Sequence, residues 1–136
     1  MIASMMLAMT LASAPAAGDA ALGRWKTETR NAVVEIMRCG PSICGRIVTS
    51  DTLRAHADLR DLRNGDAVLR ARPLKGLVFL SGFSRDGEAW SGGTIYNADD
   101  GKTYSARVTP VGADRLKVRG CVFVPFCKTQ TWTRVR

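Results

Sequence analysis

The chain predicts an all-β fold, an eight-stranded antiparallel up-and-down barrel in a single domain, and three observations carry that expectation. Strand-forming runs with a period of two recur along it. Most are joined by tight turns rich in Gly, Asn and Asp. One long early connection interrupts an otherwise local meander. Closing such a meander removes exposed strand edges, and eight strands enclose either packed side chains or one small ligand.

The barrel is not expected to begin at residue 1. Of the 136 residues, the first 14 are almost wholly apolar, a run too short to cross a bilayer as a helix. They read as the core of an export signal, although no charged segment precedes them, with cleavage after Ala16 in Ala14-Pro15-Ala16. Residues 1–16 are thus expected to be a signal peptide and 17–136 the barrel domain of a periplasmic or secreted protein without a transmembrane anchor.

Export bears on the four cysteines, which form two close pairs, Cys39 with Cys44 and Cys121 with Cys127. An even count in an oxidising compartment suggests two disulfides. Three connectivities are open, and the turn signals Gly40-Pro41-Ser42 and Val124-Pro125 favour local bridges, each worth about 2 kcal/mol by chain entropy. A four-thiolate zinc site is the alternative, but its spacing is usually tighter. No metal and no cofactor are expected.

The net charge is +8, and residues 102–136 hold eight Lys or Arg against the single acid Asp114. Outside the cytoplasm this excludes nucleic acid as a natural partner and leaves an anionic envelope component, either a surface or a protein. Alternating cations on the solvent face of strands is the simpler account.

In chain order, residues 23–28 and 32–38 read as two strands, with Val34 and Ile36 on one face and Glu35 on the other. Residues 43–49 follow as a third. Residues 50–73 interleave opposite charges around Leu53, Leu59 and Leu62, with short helical turns expected to end at Asn64-Gly65. A connection of this length is uncommon inside a compact domain and is expected to act as a lid or recognition loop, or to be a structured crossover. Residues 74–83, apolar on both faces, predict a central strand. Residues 88–104 predict a hairpin about Asp100-Gly101, strands five and six of the barrel. Its first arm is expected to place Trp90 and Tyr96 on one face and Ser91, Gly93 and Ile95 on the other. The last strands cover residues 115–122, with Leu116, Val118 and Gly120 on one side, and 127–135.

Gly23-x-Trp25, Cys44-Gly-Arg-Ile47, Asp61-x-x-Asn64, Leu69-Arg-x-Arg-Pro-Leu-x-Gly76, Trp90-x-Gly-Gly-x-Ile-Tyr96, Asp100-Gly-Lys-Thr-Tyr104, Leu116-x-Val-Arg-Gly120 and Gln130-Thr-Trp-Thr-Arg134 together resemble the exported bacterial family DUF2147. That resemblance covers almost the whole domain and implies a lipocalin-like barrel, with no defined activity. Departures fall at Gly65 and Ala98, where the family pattern carries Pro. Gly23-x-Trp25 also resembles the lipocalin signature, which implies structural roles for Trp25 at the barrel floor and for Arg134 stacked across it.

Catalytic residues are not apparent. His56, the sole imidazole, lies in the polar loop with no framed Ser beside it, and Asp99-Asp100 fits turn chemistry better than a cation site. Asp61, Asn64, Arg70 and Arg72 form a polar set able to hold a carboxylate or phosphate, or to pin the loop to the rim. With Trp90 and Tyr96 they are the candidate ligand-binding residues. The expected function is non-enzymatic binding of a small hydrophobic or amphipathic ligand, such as a lipid or fatty acid. The alternative is an envelope interaction module that docks through its basic C-terminal third.

Overall fold

Alternation in the sequence becomes alternation in burial. The computed structural model describes residue 3 and residues 19–136, so the expected signal peptide falls, apart from Ala3, outside the described residues. Nine strands follow a 3-10 turn at Asp19–Ala21: β1 (Gly23–Lys26), β2 (Val33–Cys39), β3 (Ser42–Thr49), β4 (Val78–Ser81), β5 (Ser84–Asp86), β6 (Ala89–Asn97), β7 (Lys102–Val111), β8 (Arg115–Phe123) and β9 (Phe126–Arg134). In β8, Leu116 and Val118 are buried while Arg115, Lys117 and Arg119 are exposed, the pattern of a strand with one face in a core.

All pairings are antiparallel. β1 joins β2 and β9, each later neighbour pairs in turn, and β4 pairs with β6 to close the ring. The result is an eight-stranded up-and-down barrel plus the short β5, which extends along the same edge of β6 that β4 uses. Of the single strand expected over residues 74–83, only β4 (Val78–Ser81) forms; residues 74–77 belong to the connection before it, and β5 (Ser84–Asp86) lies beyond the expected strand. Gly82 at φ 79° ends β4, and Phe83 turns into the core. The 88–104 hairpin is β6–β7, strands six and seven in chain order.

The expected face assignment of that hairpin is corrected. Trp90 registers with Val108 and Gly93 with Ala106, so the ladder gains an extra residue between them. Gly92, at φ 71°, absorbs this bulge. The phase of the strand flips there, which puts Trp90 on the inner face together with Gly93 and Ile95 and leaves Tyr96 outside. The inner face is tight, since a Cβ on Gly93 would lie 2.6 Å from the Phe83 ring.

One end of the barrel is packed solid. Trp25, Ile36, Ile43, Leu80, Phe83, Trp90, Val108 and Leu116 are all buried there in one cluster. Arg134 lies over the Trp25 ring at 4.3 Å and donates to three carbonyls, Ala113 (2.7 Å), Leu22 (2.8 Å) and Ala20 (2.9 Å). The Trp25 indole donates to the Ala21 carbonyl at 2.9 Å. The N-terminal turn is thereby fastened across the barrel floor. Outside, the cross-strand row Arg24–Glu35–Arg46 ties β1, β2 and β3, and its two guanidinium groups hold the Glu35 carboxyl below its usual range.

Both disulfides are local, Cys39–Cys44 and Cys121–Cys127, each closing a hairpin end. Among the described residues no helix is long and apolar enough to cross a membrane. Arg134→Lys keeps the charge but loses the planar fork that reaches three carbonyls while stacking. It is expected to lower stability by about 2 kcal/mol, read as a shift in the urea midpoint at unchanged slope.

Candidate functional site

The meander sends the turns at residues 27–32, 98–101 and 124–125 and the long connection 50–77 to the end opposite the packed floor. That end is hollow. A cavity of about 1050 Å³ opens there, walled by Val34, Ile47, Phe79, Ile95, Val118 and Trp132 from the strands and by Leu53, Leu59 and Leu74 from the connection. Phe79 and Trp132 meet with ring centroids 6.2 Å apart. Four cations, Arg30, Arg60, Arg63 and Lys128, line it against one carboxylate, Asp99.

Side-chain capping explains how the connection starts. Ser50 accepts from the Leu53 backbone N–H at 3.1 Å and starts the one-turn helix α1 (Asp51–Ala55). Leu53 is buried beneath it. The helical turns expected to end at Asn64-Gly65 end instead at Ala55, with a separate 3-10 turn at Leu69–Ala71. His56 caps α1 in an exposed position.

Asp61 organises the rest. Its side chain is fully buried, and its carboxylate accepts from the Tyr96 hydroxyl (2.5 Å), the Arg72 guanidinium (2.8 Å) and the Asn64 amide (2.9 Å). Arg72 also stacks over Tyr96 at 5.2 Å, and Arg70 donates to the Asn64 carbonyl at 2.8 Å. Burial pushes the Asp61 carboxyl upward, but the bonds from Tyr96, Asn64 and Arg72 outweigh it and leave the group below its ordinary range. Burial, and then the hydrogen bond to Asp61 and its charge, raise the Tyr96 hydroxyl. Five of the six candidate ligand-binding residues thus meet on the outer wall of β6. Trp90 does not join them and lies in the packed floor. Tyr96 alone of the six also lines the cavity.

A second fastening was not legible in the sequence. Asp99, read as turn chemistry, does donate locally, its backbone N–H to the Asn97 side-chain oxygen at 2.9 Å, but its carboxylate also takes Arg30 from the β1–β2 turn at 2.7 Å. Its carbonyl takes Arg63 from the long connection, also at 2.7 Å. Gly101 makes this approach possible, since a Cβ there would lie 1.8 Å from the Arg63 carbonyl oxygen. Only the Asp-Asp-Gly triplet hinted at it; the partners are distant in sequence. Tyr104, on β7, donates to Asp100 beside it. Among the described residues no cluster of His, Cys, Asp or Glu is arranged to hold a metal.

Two stability outcomes follow from this geometry. Because the folded-state pKa of Asp61 is depressed, its contribution is present in full above the ordinary carboxylate range and is lost as pH falls through the folded value. Asp61→Asn is expected to cost about 2–4 kcal/mol at pH 7 and to flatten the loss of stability between pH 5 and 2, measured by urea titration across that range. Gly101→Ala is expected to cost about 3 kcal/mol and to expose residues 50–77 to limited proteolysis. Gly112→Ala, also at positive φ but with nothing near its Cβ, should cost only about 1 kcal/mol.

Comparison with solved structures finds a chain titled "Protein HP1028 from the human pathogen Helicobacter pylori belongs to the lipocalin family". It is 27% identical, with a TM-score of 0.77, and the match covers 85% of this chain and 83% of that one. A comparison with curated proteins returned no match. The family described as "Uncharacterized protein conserved in bacteria (DUF2147)" matches residues 23–134. A lipocalin-like barrel with this sequence pattern across nearly all its strands belongs to the DUF2147 family.

Proposed function

We propose that this barrel is a periplasmic or secreted binding protein, without catalysis, for one small apolar or amphipathic molecule with an acidic head, of fatty-acid or lipid kind. The observation that carries the reading is the hollow end: an apolar-walled cavity of about 1050 Å³ whose lining holds four cations and one carboxylate. Its size is just above the range of roughly 300–1,000 Å³ for small-molecule sites. An acyl chain would lie against Val34, Ile47, Phe79 and Ile95. The head would meet Lys128, which has no carboxylate partner among the described residues, whereas Arg30 is already paired with Asp99.

The six candidate residues divide among three tasks in this reading. Asp61, Asn64, Arg70 and Arg72 position the connection that carries Leu53, Leu59 and Leu74 to the mouth. Tyr96 links that network to the cavity wall, and Trp90 fills the floor that limits how deep a ligand goes. The second reading is docking through the basic C-terminal third on an anionic surface. It is favoured by Lys117, Arg119 and Lys128, none of which has a carboxylate partner within 4.0 Å among the described residues.

Native mass spectrometry of protein purified from its own host, followed by titration with a long-chain fatty acid, checks the first reading. One bound acyl ligand per chain is expected. Ile47→Trp, which puts an indole into the cavity, should weaken binding at least about tenfold with the fold retained. No co-purifying ligand, no uptake on titration, or equal affinity in the Ile47→Trp protein would count against it.

A further inference from the structure

The β8–β9 hairpin leaves unburied what a hairpin usually hides. Val122, Phe123, Val124 and Phe126 are 63, 62, 76 and 62% exposed, on consecutive positions about Pro125. Phe123 and Phe126 stack edge to face at 4.9 Å across the turn, and the Cys121–Cys127 bridge closes the base of the tip. The stub is therefore prebuilt, apolar and projecting. Below it the chemistry changes sign. Arg119 reaches the Cys127 sulfur at 3.2 Å, and Lys128 and Lys117 follow down the two strands. From Arg115 to Arg136 the chain has no acid at all.

We propose that this tip inserts into an anionic lipid surface, with Phe123, Val124 and Phe126 among the acyl chains and Arg119 and Lys128 at the phosphate level. The inference rests on the second reading above and gives it a mechanism. The order from the tip down, apolar and aromatic first and cationic next, is the depth order of a bilayer interface. Lys128 lies two residues from Phe126, roughly 7 Å along the strand, and the longer Arg119 side chain can reach upward from four residues below Phe123. A protein partner would be expected to cover a broader patch, about 800 Å² per side, than one hairpin end presents.

Position adds a consequence. Val122, Pro125, Phe126 and Lys128 also line the cavity, so the tip is one wall of its mouth. Leu62, 66% exposed, belongs to the same mouth. Insertion would therefore set the opening against the lipid surface, where an amphipathic molecule could pass between bilayer and barrel without crossing water.

Sedimentation with vesicles of phosphatidylcholine alone and with equal phosphatidylglycerol tests the proposal. The protein is expected to bind the anionic vesicles, and binding should fall at least about tenfold in Phe123→Ser/Phe126→Ser, whose sites are exposed and whose thermal unfolding should be unchanged. Arg119→Gln/Lys128→Gln should bind more weakly and respond less to salt between 0.05 and 0.5 M. Ile47→Trp should bind vesicles like the parent, which separates docking from cavity occupancy. Failure of the parent to bind anionic vesicles overturns both docking and insertion. Binding that is unaffected by the two Phe substitutions overturns insertion and leaves charge-only adsorption. A concentration-dependent dimer that those substitutions abolish, without vesicle binding, assigns the tip to a second copy and overturns the lipid assignment.

Discussion

Closure of the barrel depends on a short seam. β4 meets β6 through two residue pairs, Leu80 with Ile95 and Ser81 with Thr94, and without them the sheet would have two open edges. The seam demands space on its inner side. Gly45 faces Leu80 so closely that a Cβ would sit 2.9 Å from it, and Gly93 faces Phe83 in the same way. Two glycines thus let two large side chains close the ring from within. Large side chains then fill one end, where Trp25 and Trp90 are wholly buried. At the other end Ile47, Val118 and Gly120 leave the enclosed volume unfilled. A barrel packed below and hollow above is the physical basis for reading it as a container.

A hollow end needs its loops held by something other than a core, and here carboxylates do it. Asp61 is satisfied by three donors from two elements, so the connection is bound to the outside of β6 without taking space within the mouth. Asp99 draws in the β1–β2 turn and the connection together. A buried charge left half-satisfied would destabilise the fold, and no buried side-chain polar atom lacks a partner among the described residues. Carboxylates thereby fasten three of the four rim loops, and the exception is the β8–β9 tip, which is closed at its base by Cys121–Cys127 instead. That asymmetry separates a fixed binding mouth from a projecting apolar finger.

Much of the architecture was legible because strands and turns declare themselves locally. The alternation of Leu116 and Val118 with Lys117 and Arg119, the turn at Asp100-Gly101 and the local cysteine pairs all came through. The phase of β6 did not, since a single bulge at Gly92 reverses which face Trp90 occupies, and a run of small residues does not announce a bulge. The break at Gly82 was missed because an apolar run hides a change of direction. Within the candidate site, the grouping of Asp61, Asn64, Arg70 and Arg72 was visible as a short polar segment. The meeting of Arg30 with Asp99 was not, because 69 residues separate them. The exposure of Phe123 and Phe126 was equally hidden, because composition alone does not distinguish a buried apolar run from a projecting one.

The three tryptophans report where in the barrel a ligand sits. All three are buried in the core cluster, but only Trp132 also lines the cavity, whereas Trp25 and Trp90 do not. Titration with a brominated long-chain fatty acid, which quenches indole emission on close approach, reads which of them a ligand meets. Saturable, partial quenching at one ligand per chain is expected, and it should disappear in Trp132→Phe. Absence of quenching, or quenching that persists undiminished when Trp132 is replaced, would contradict a hollow barrel end that holds an acyl chain.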